Sequence, residues 1–162
     1  MIEIAESAVR SSKKLGVDET EGFVQRQRVI EIILERGEIQ SERMKIRRGI
    51  GIRATKDKRM GFAFASMLDQ QTIQETCRDA SKLASASPRN PDWVSLPLPE
   101  KIPPAPEGLY DENLANLTLD EALNMVLEGY EAAKEADSRV SIDEGKLMVS
   151  STEIAISNSH GI

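Results

Sequence analysis

The side chains that most often carry chemistry are scarce in this chain. It has one cysteine, Cys77, and one histidine, His160. A lone cysteine excludes an internal disulfide. One of each argues against a zinc site drawn from this chain alone, because such sites need three or four ligands. No HExxH or HExxxH pair, Cys-x-x-Cys pair, Walker loop or Gly-x-Ser-x-Gly elbow occurs, so the commonest catalytic motifs are missing. Aromatic residues make up only 4% of the chain, which leaves the core to Ile, Leu, Val, Ala and Met. No apolar leader opens the sequence and no apolar run reaches the length of a membrane span. The expected location is therefore the reducing cytoplasm, with no membrane partner.

What is present is charge, unevenly placed. The net charge is −6 and 30% of residues are charged, which favours solubility and argues against a general nucleic-acid binder. Yet Arg43 to Arg59 holds eight Lys or Arg and a single acid, Asp57, so the remainder is strongly acidic. Proline is segregated too. All seven prolines fall between residues 88 and 116.

Periodicity predicts an α+β fold in a single domain, 1–162: an antiparallel β-sheet of about five strands packed against two or three helices. Ile4, Ala5, Ala8, Val9, Ser12 and Leu15 recur at helical spacing and predict a helix over 3–15, stopped by Gly16. Val17 to Gly22 reads as an acidic connector. Alternation predicts a β meander over 23–66, with a turn at Arg36-Gly37-Glu38. A second helix is predicted over 69–86, with Asp69 as N-cap and Ile73, Cys77, Ala80 and Ala84 as its apolar stripe. The prolines forbid regular structure across 88–116. Trp93, Leu96, Leu98, Ile102 and Leu109 predict that this segment is docked rather than free. Thr118-Leu119-Asp120-Glu121 is a capping box that opens a helix over 119–136. A β hairpin is predicted over 139–158.

The run Arg48-Gly49-Ile50-Gly51-Ile52-Arg53, followed by Met60-Gly61-Phe62-Ala63-Phe64-Ala65-Ser66, predicts two strands with interior glycines. Such glycines mark a bulge or a close backbone approach. Met44, Ile46, Ile50, Ile52 and Ala54 share the face expected to be buried. A three-residue loop, Asp57-Lys58-Arg59, would pair Ala54 with Phe62 and Ile52 with Phe64 and turn both aromatics inward. Gly49-Ile50-Gly51 lacks the third glycine and the following helix of a phosphate loop. The basic face of 43–55 could bind nucleic acid or an acidic peptide. The plainer reading is a solvated face with cross-strand ion pairs, such as Glu31 with Arg43. His160, between Ser159 and Gly161, could be a base or ligand, but reads more simply as a turn residue. Cys77, on an apolar stripe, reads as packing.

In order along the chain stand Gly49-Ile50-Gly51-Ile52-Arg53, Gly61-Phe62-Ala63-Phe64-Ala65-Ser66, Asp79-Ala80-Ser81-Lys82-Leu83-Ala84, Ala136-Asp137-Ser138-Arg139-Val140 and Asn158-Ser159-His160-Gly161. This ordered set resembles the N-terminal domain of the TldD/PmbA family, also named modulators of DNA gyrase. It is closer to the PmbA (TldE) branch than to the TldD branch. The resemblance implies that the chain is the N-terminal part of a longer protein or a split gene product. It implies that no residue here is catalytic and that no cofactor belongs to this chain. Zinc is expected only in a TldD-like partner or in a C-terminal domain carrying an HExxxH motif. It also implies a partnership with a TldD-like peptidase subunit, or self-association, in the proteolytic processing of peptides. On that reading the chain assembles with the peptidase and presents extended peptides, with Gly49, Gly51, Arg53 and Gly61 as peptide-binding positions. The alternatives are a purely structural or oligomerisation domain and, less favoured, a nucleic-acid-binding module.

Overall fold

The computed structural model describes residues 1–101, 104, 106–137 and 139–162. The elements run α1 (Ile2–Lys13), β1 (Glu19–Glu35), β2 (Glu38–Lys56), β3 (Arg59–Ala65), α2 (Gln70–Ala86), α3 (Glu112–Asn116), α4 (Leu119–Ala136) and β4 (Glu144–Asn158). Among the described residues the fold is α+β, with a four-stranded antiparallel sheet in the order β3-β2-β1-β4 and four helices. One strand fewer forms than alternation suggests. The expected hairpin over 139–158 is a single strand, because Ser150-Ser151-Thr152 continues β4 instead of turning it. Polar residues that alternate along a strand mark a wet face, not a break.

The chain divides into two compact units. The first comprises Met1–Arg26, Arg47–Pro103 and Glu153–Ile162, and the second comprises Gln27–Ile46 and Pro104–Thr152. β1, β2 and β4 each lend one stretch to each unit.

In the first unit, Ala5, Ala8, Val24, Ile50, Ile52, Ala54, Ile73, Cys77, Ala80 and Ala84 form one buried cluster. Small residues dominate it, so α1 and α2 lie close to the strands. A side chain at Gly22 would stand 3.0 Å from the Ala5 carbonyl oxygen. α2 starts at Asp69, whose carboxylate accepts from the Thr72 hydroxyl at 2.7 Å and the Thr72 amide at 2.9 Å. These bonds hold the Asp69 carboxyl below its ordinary pKa. β1 begins at Glu19, inside the expected connector, because Thr20 and Val24 are buried at strand spacing.

The register between β2 and β3 differs from the expected one. Asp57 and Lys58 make a two-residue turn with φ of 50° and 60°. Two consecutive positive φ values fit the twist of a hairpin. Ala54 then pairs with Gly61, Arg53 with Phe62 and Gly51 with Phe64. Phe62 and Phe64 therefore lie outward, 56% and 80% exposed. The cause is α2. A Cβ on Gly61 would sit 2.1 Å from the Ala80 carbonyl oxygen and 2.2 Å from the Ala84 amide nitrogen. Only glycine fits under the helix, so parity sends the phenylalanines to the other face.

In the second unit, Ile30, Ile32 and Ala122 are fully buried, with Ile39, Leu117, Leu119, Leu123, Val126, Leu147 and Val149 packed around them. α4 opens with the expected capping box. Thr118 Oγ1 accepts from the Glu121 amide, and the Glu121 carboxylate accepts from the Thr118 amide and hydroxyl. Arg36 and Gly37 form the turn between β1 and β2, with φ of 51° and 84°. Met44 and Ile46, expected inside, are 51% and 56% exposed. Alternation reports which face a residue occupies, not whether anything covers that face. Glu31 pairs with Lys146 at 2.9 Å, and Arg43 adds only a weaker electrostatic pull on its carboxyl. α3 forms within the stretch expected to lack regular structure. It lies beyond the last proline and is capped by the Asp111 carboxylate, which accepts from the Leu114 amide at 2.9 Å.

Candidate functional site

The face of the first unit's sheet turned away from α2, covered at Thr55 and open at Phe62 and Phe64, gathers the outward-facing side chains. β2 contributes Gly49, Gly51 and Arg53. β3 contributes Phe62 and Phe64. β1 contributes Glu21, whose carboxylate lies 3.6 Å from the Arg53 guanidinium. On β4, alternation separates the exposed Ile154 and Ile156 from the buried Ser157. Gly49, Gly51 and Arg53 thus come together as expected, and Gly61 does not join them. It faces α2 and has no room for a ligand.

The space left by the other glycines is taken by the chain itself. A Cβ on Gly49 would lie 2.8 Å from the Ala65 carbonyl oxygen. A Cβ on Gly51 would meet the Phe62 ring at 3.0 Å. Gly49 therefore admits the end of β3, and Gly51 lets Phe62 lie flat on the sheet. The two cases differ in stiffness. The carbonyl is backbone, whereas the ring is the far end of a side chain that can swing. β2 has a partner strand on each side over Ile50–Lys56, and β3 is an edge strand. Its Arg59 end is taken by a bridge to Arg89, and Lys58 accepts a bond from the Asn90 amide. Among the described residues, the outer edge of β3 is thus occupied only at its start.

A second arrangement was not legible in the sequence. The Glu19 side chain is 13% exposed, and its carboxylate accepts from the Trp93 indole at 2.9 Å and the Leu96 amide at 3.1 Å. His160 Nε2 lies 2.7 Å away. Burial pushes the Glu19 carboxyl up, but the bonds from His160, Trp93 and Leu96 outweigh it, and the group ionises below its ordinary pKa. Asn158 completes the knot. Its amide donates to the Pro97 carbonyl at 2.8 Å and its carbonyl accepts from the His160 amide at 2.9 Å. The proline-rich stretch is therefore held at Trp93 and at Leu96, which is 1% exposed. Leu98 and Leu109 are exposed, and Ile102 lies outside the described residues. The available signal was Trp93 itself, since a docked indole needs an acceptor for its N–H.

No group of acidic, histidine and cysteine side chains able to hold a metal occurs among the described residues. Burial pushes the Cys77 thiol up, which disfavours its thiolate, and the thiol lies against the Ala8 carbonyl. Among the described residues, no helix is long and apolar enough to cross a membrane.

Residues 20–84 match the model for PmbA/TldA metallopeptidase domain 1. None of the curated proteins matches the chain. Among solved structures, TldE from Thermococcus kodakarensis is 31% identical with a TM-score of 0.87, over 96% of this chain and 35% of that one. Two proteins described as candidate modulators of DNA gyrase share the fold. One, from Thermotoga maritima, is 17% identical with a TM-score of 0.82, over 99% of this chain and 35% of its own. The other, from Bacteroides thetaiotaomicron, is 16% identical with a TM-score of 0.82, over 99% of this chain and 37% of its own. The chain spans about a third of the length of these relatives. These likenesses agree: the chain belongs to the TldD/PmbA family, and residues 20–84 match the model of that family's first domain.

Proposed function

We propose that this chain is a non-catalytic part of a TldD/PmbA-type peptidase system, which assembles with a TldD-like subunit in the cytoplasm and presents extended peptides for cleavage. One observation carries the reading: an edge strand, β3, beside an uncovered face where Phe62 and Phe64 are exposed. A peptide would add along the outer edge of β3 through backbone hydrogen bonds, with little sequence preference. Its side chains would rest on Phe62 and Phe64, and Arg53 would meet peptide carbonyls or acidic side chains. Addition to β2 itself is closed, because β1 and β3 occupy its edges over Ile50–Lys56. Zinc chemistry belongs to the partner subunit on this reading.

The test measures binding of a labelled unfolded peptide to the complex of this chain with its peptidase partner. Methylating the peptide's backbone nitrogens should abolish binding, whereas scrambling its sequence should change it little. Gly51→Val, which pushes the Phe62 ring off the sheet, should weaken binding while the domain stays folded. Equal binding of the methylated peptide, or unchanged processing by the Gly51→Val complex, would overturn the reading. A second reading, a purely oligomerising domain, draws on the same exposed Phe64. It predicts that Phe64→Ser disperses the assembly and leaves activity per assembled complex intact.

A further inference from the structure

Arg59 and Arg89 stand directly opposite each other where the chain after α2 makes an antiparallel bridge to β3. The Asn90 amide donates to the Lys58 carbonyl at 2.8 Å, one residue past the bridge. That bond flanks the pair instead of joining it. This is the pattern of the closer kind of antiparallel pair, with Cα atoms about 4.5 Å apart. Like charges directly opposite each other on a sheet destabilise it. Among the described residues, neither arginine forms an ion pair with an acid. The Arg59 guanidinium donates to the Ser87 carbonyl at 2.9 Å, at the C-terminal end of α2, where a cation offsets the helix dipole. Arg59 thus has a structural reason to be basic. Arg89 has no such partner: it is exposed, and its side chain makes no hydrogen bond among the described residues.

The bridge also closes one end of the β3 edge. Pro88 and Pro91 have no N–H, so the segment cannot extend its own ladder along β3. It is firmly seated all the same. Lys58 Nζ donates to the Pro91 carbonyl at 2.9 Å, and Trp93 and Leu96 are held on Glu19. An added peptide therefore meets a fixed stop at Arg59 and keeps to the rest of the edge, toward Ala65. The stop itself runs antiparallel to β3, and antiparallel ladders are the more stable kind per residue. A peptide laid along the edge in that direction points its C-terminus at Pro88. The reverse direction would bring an N-terminal ammonium against two guanidinium groups. Charge complementarity selects the carboxylate.

We propose that Arg59 and Arg89 receive the C-terminal carboxylate of the peptide that adds to β3, an assignment that rests on the peptide reading of this edge. The carboxylate accepts charge-assisted hydrogen bonds from Arg89 and from the guanidinium nitrogens that Arg59 does not spend on Ser87. It also relieves the repulsion between two like charges that the bridge forces together. The site therefore takes the end of an unfolded chain, not its middle.

The experiment uses the complex of this chain with its peptidase partner and one labelled unfolded peptide, made with a free C-terminal carboxylate or with a C-terminal amide. The carboxylate form should bind about tenfold more tightly than the amide. Added salt should narrow that gap, because exposed charges are screened. Arg89→Gln should shrink the gap to less than about twofold and leave the affinity of the amide unchanged. Arg89→Glu gives Arg59 an opposite charge, so it should raise the melting temperature and abolish the carboxylate's advantage, which separates loss of the site from loss of the fold. Equal binding of both forms by the parent complex overturns the proposal and leaves the peptide reading standing. An advantage that survives in Arg89→Gln, or a melting temperature lowered by Arg89→Glu, overturns it too. Binding of neither form overturns both.

Discussion

The two units use glycine in opposite ways. In the first, Gly22 and Gly61 sit where helices press on strands, and Ala5, Ala8, Ala80 and Ala84 line the same contact. In the second, a Cβ on Gly145 would make ordinary contact with Leu34, and one on the exposed Gly129 would meet nothing. The first unit is closed by small residues. The second is held around Ile30, Ile32 and Ala122 and keeps unfilled room beside them. Absence of a side chain therefore means tight contact in one place and none in another, and only the neighbouring atoms tell which.

The sharpest way to break the comparison is to make one substitution at both kinds of site. Gly61→Ala should cost about 2–4 kcal/mol in chemical denaturation, because its Cβ would collide with helix backbone and not with a movable side chain. A loss under about 0.5 kcal/mol would mean that α2 is not seated as described.

The next largest effect tests the polar clasp of the first unit. Glu19→Gln should cost about 1.5–3 kcal/mol, the range for hydrogen bonds to a charged group. The sign with pH follows from the depressed pKa of Glu19. The clasp's contribution is complete above the unfolded carboxylate pKa and is lost as pH falls through the lower, folded value. Denaturation midpoints, read by Trp93 fluorescence, should therefore fall on acidification more steeply in the parent chain than in Glu19→Gln. Parallel curves would remove Glu19 from the acid response. The second unit has a counterpart in Arg28, which donates to the carbonyl of Ala115 in α3 and of Leu117 just past it. There the held groups are neutral, so no comparable acid response is expected.

The smallest effect has the opposite sign. Gly129→Ala should gain about 0.5–1 kcal/mol, the difference between alanine and glycine inside a helix. Thermal unfolding of the pair Gly61→Ala and Gly129→Ala then gives a loss and a gain from the same added methyl group. Two losses would mean that the second unit is as closely packed as the first.

Much of this was legible in the sequence where the cause is local. Asp69 and Thr118 cap their helices with the residue types and spacing that capping needs, and Arg36-Gly37 turns where the positive φ of glycine is useful. What is decided by distant segments was not legible. The register of β3 depends on which residue can lie under α2, and Ala80 and Ala84 are far along the chain from Gly61. The exposure of Met44 and Ile46 depends on what lies over them, which alternation does not encode. The continuity of β4 through Ser150-Ser151-Thr152 depends on neighbouring strands. At the candidate site, Gly49, Gly51 and Arg53 share a face because parity is local. Phe62 and Phe64 were placed on the wrong side because parity alone does not say which side a helix will cover.

The clasp on Glu19 joins residues 141 positions apart in the chain. Such a contact closes a long loop, and it cannot form until His160 has left the ribosome. The first unit therefore joins stretches that lie far apart along the chain. Its helices and the β2–β3 hairpin can assemble early, while the segment at Trp93 and Leu96 waits for Asn158 and His160.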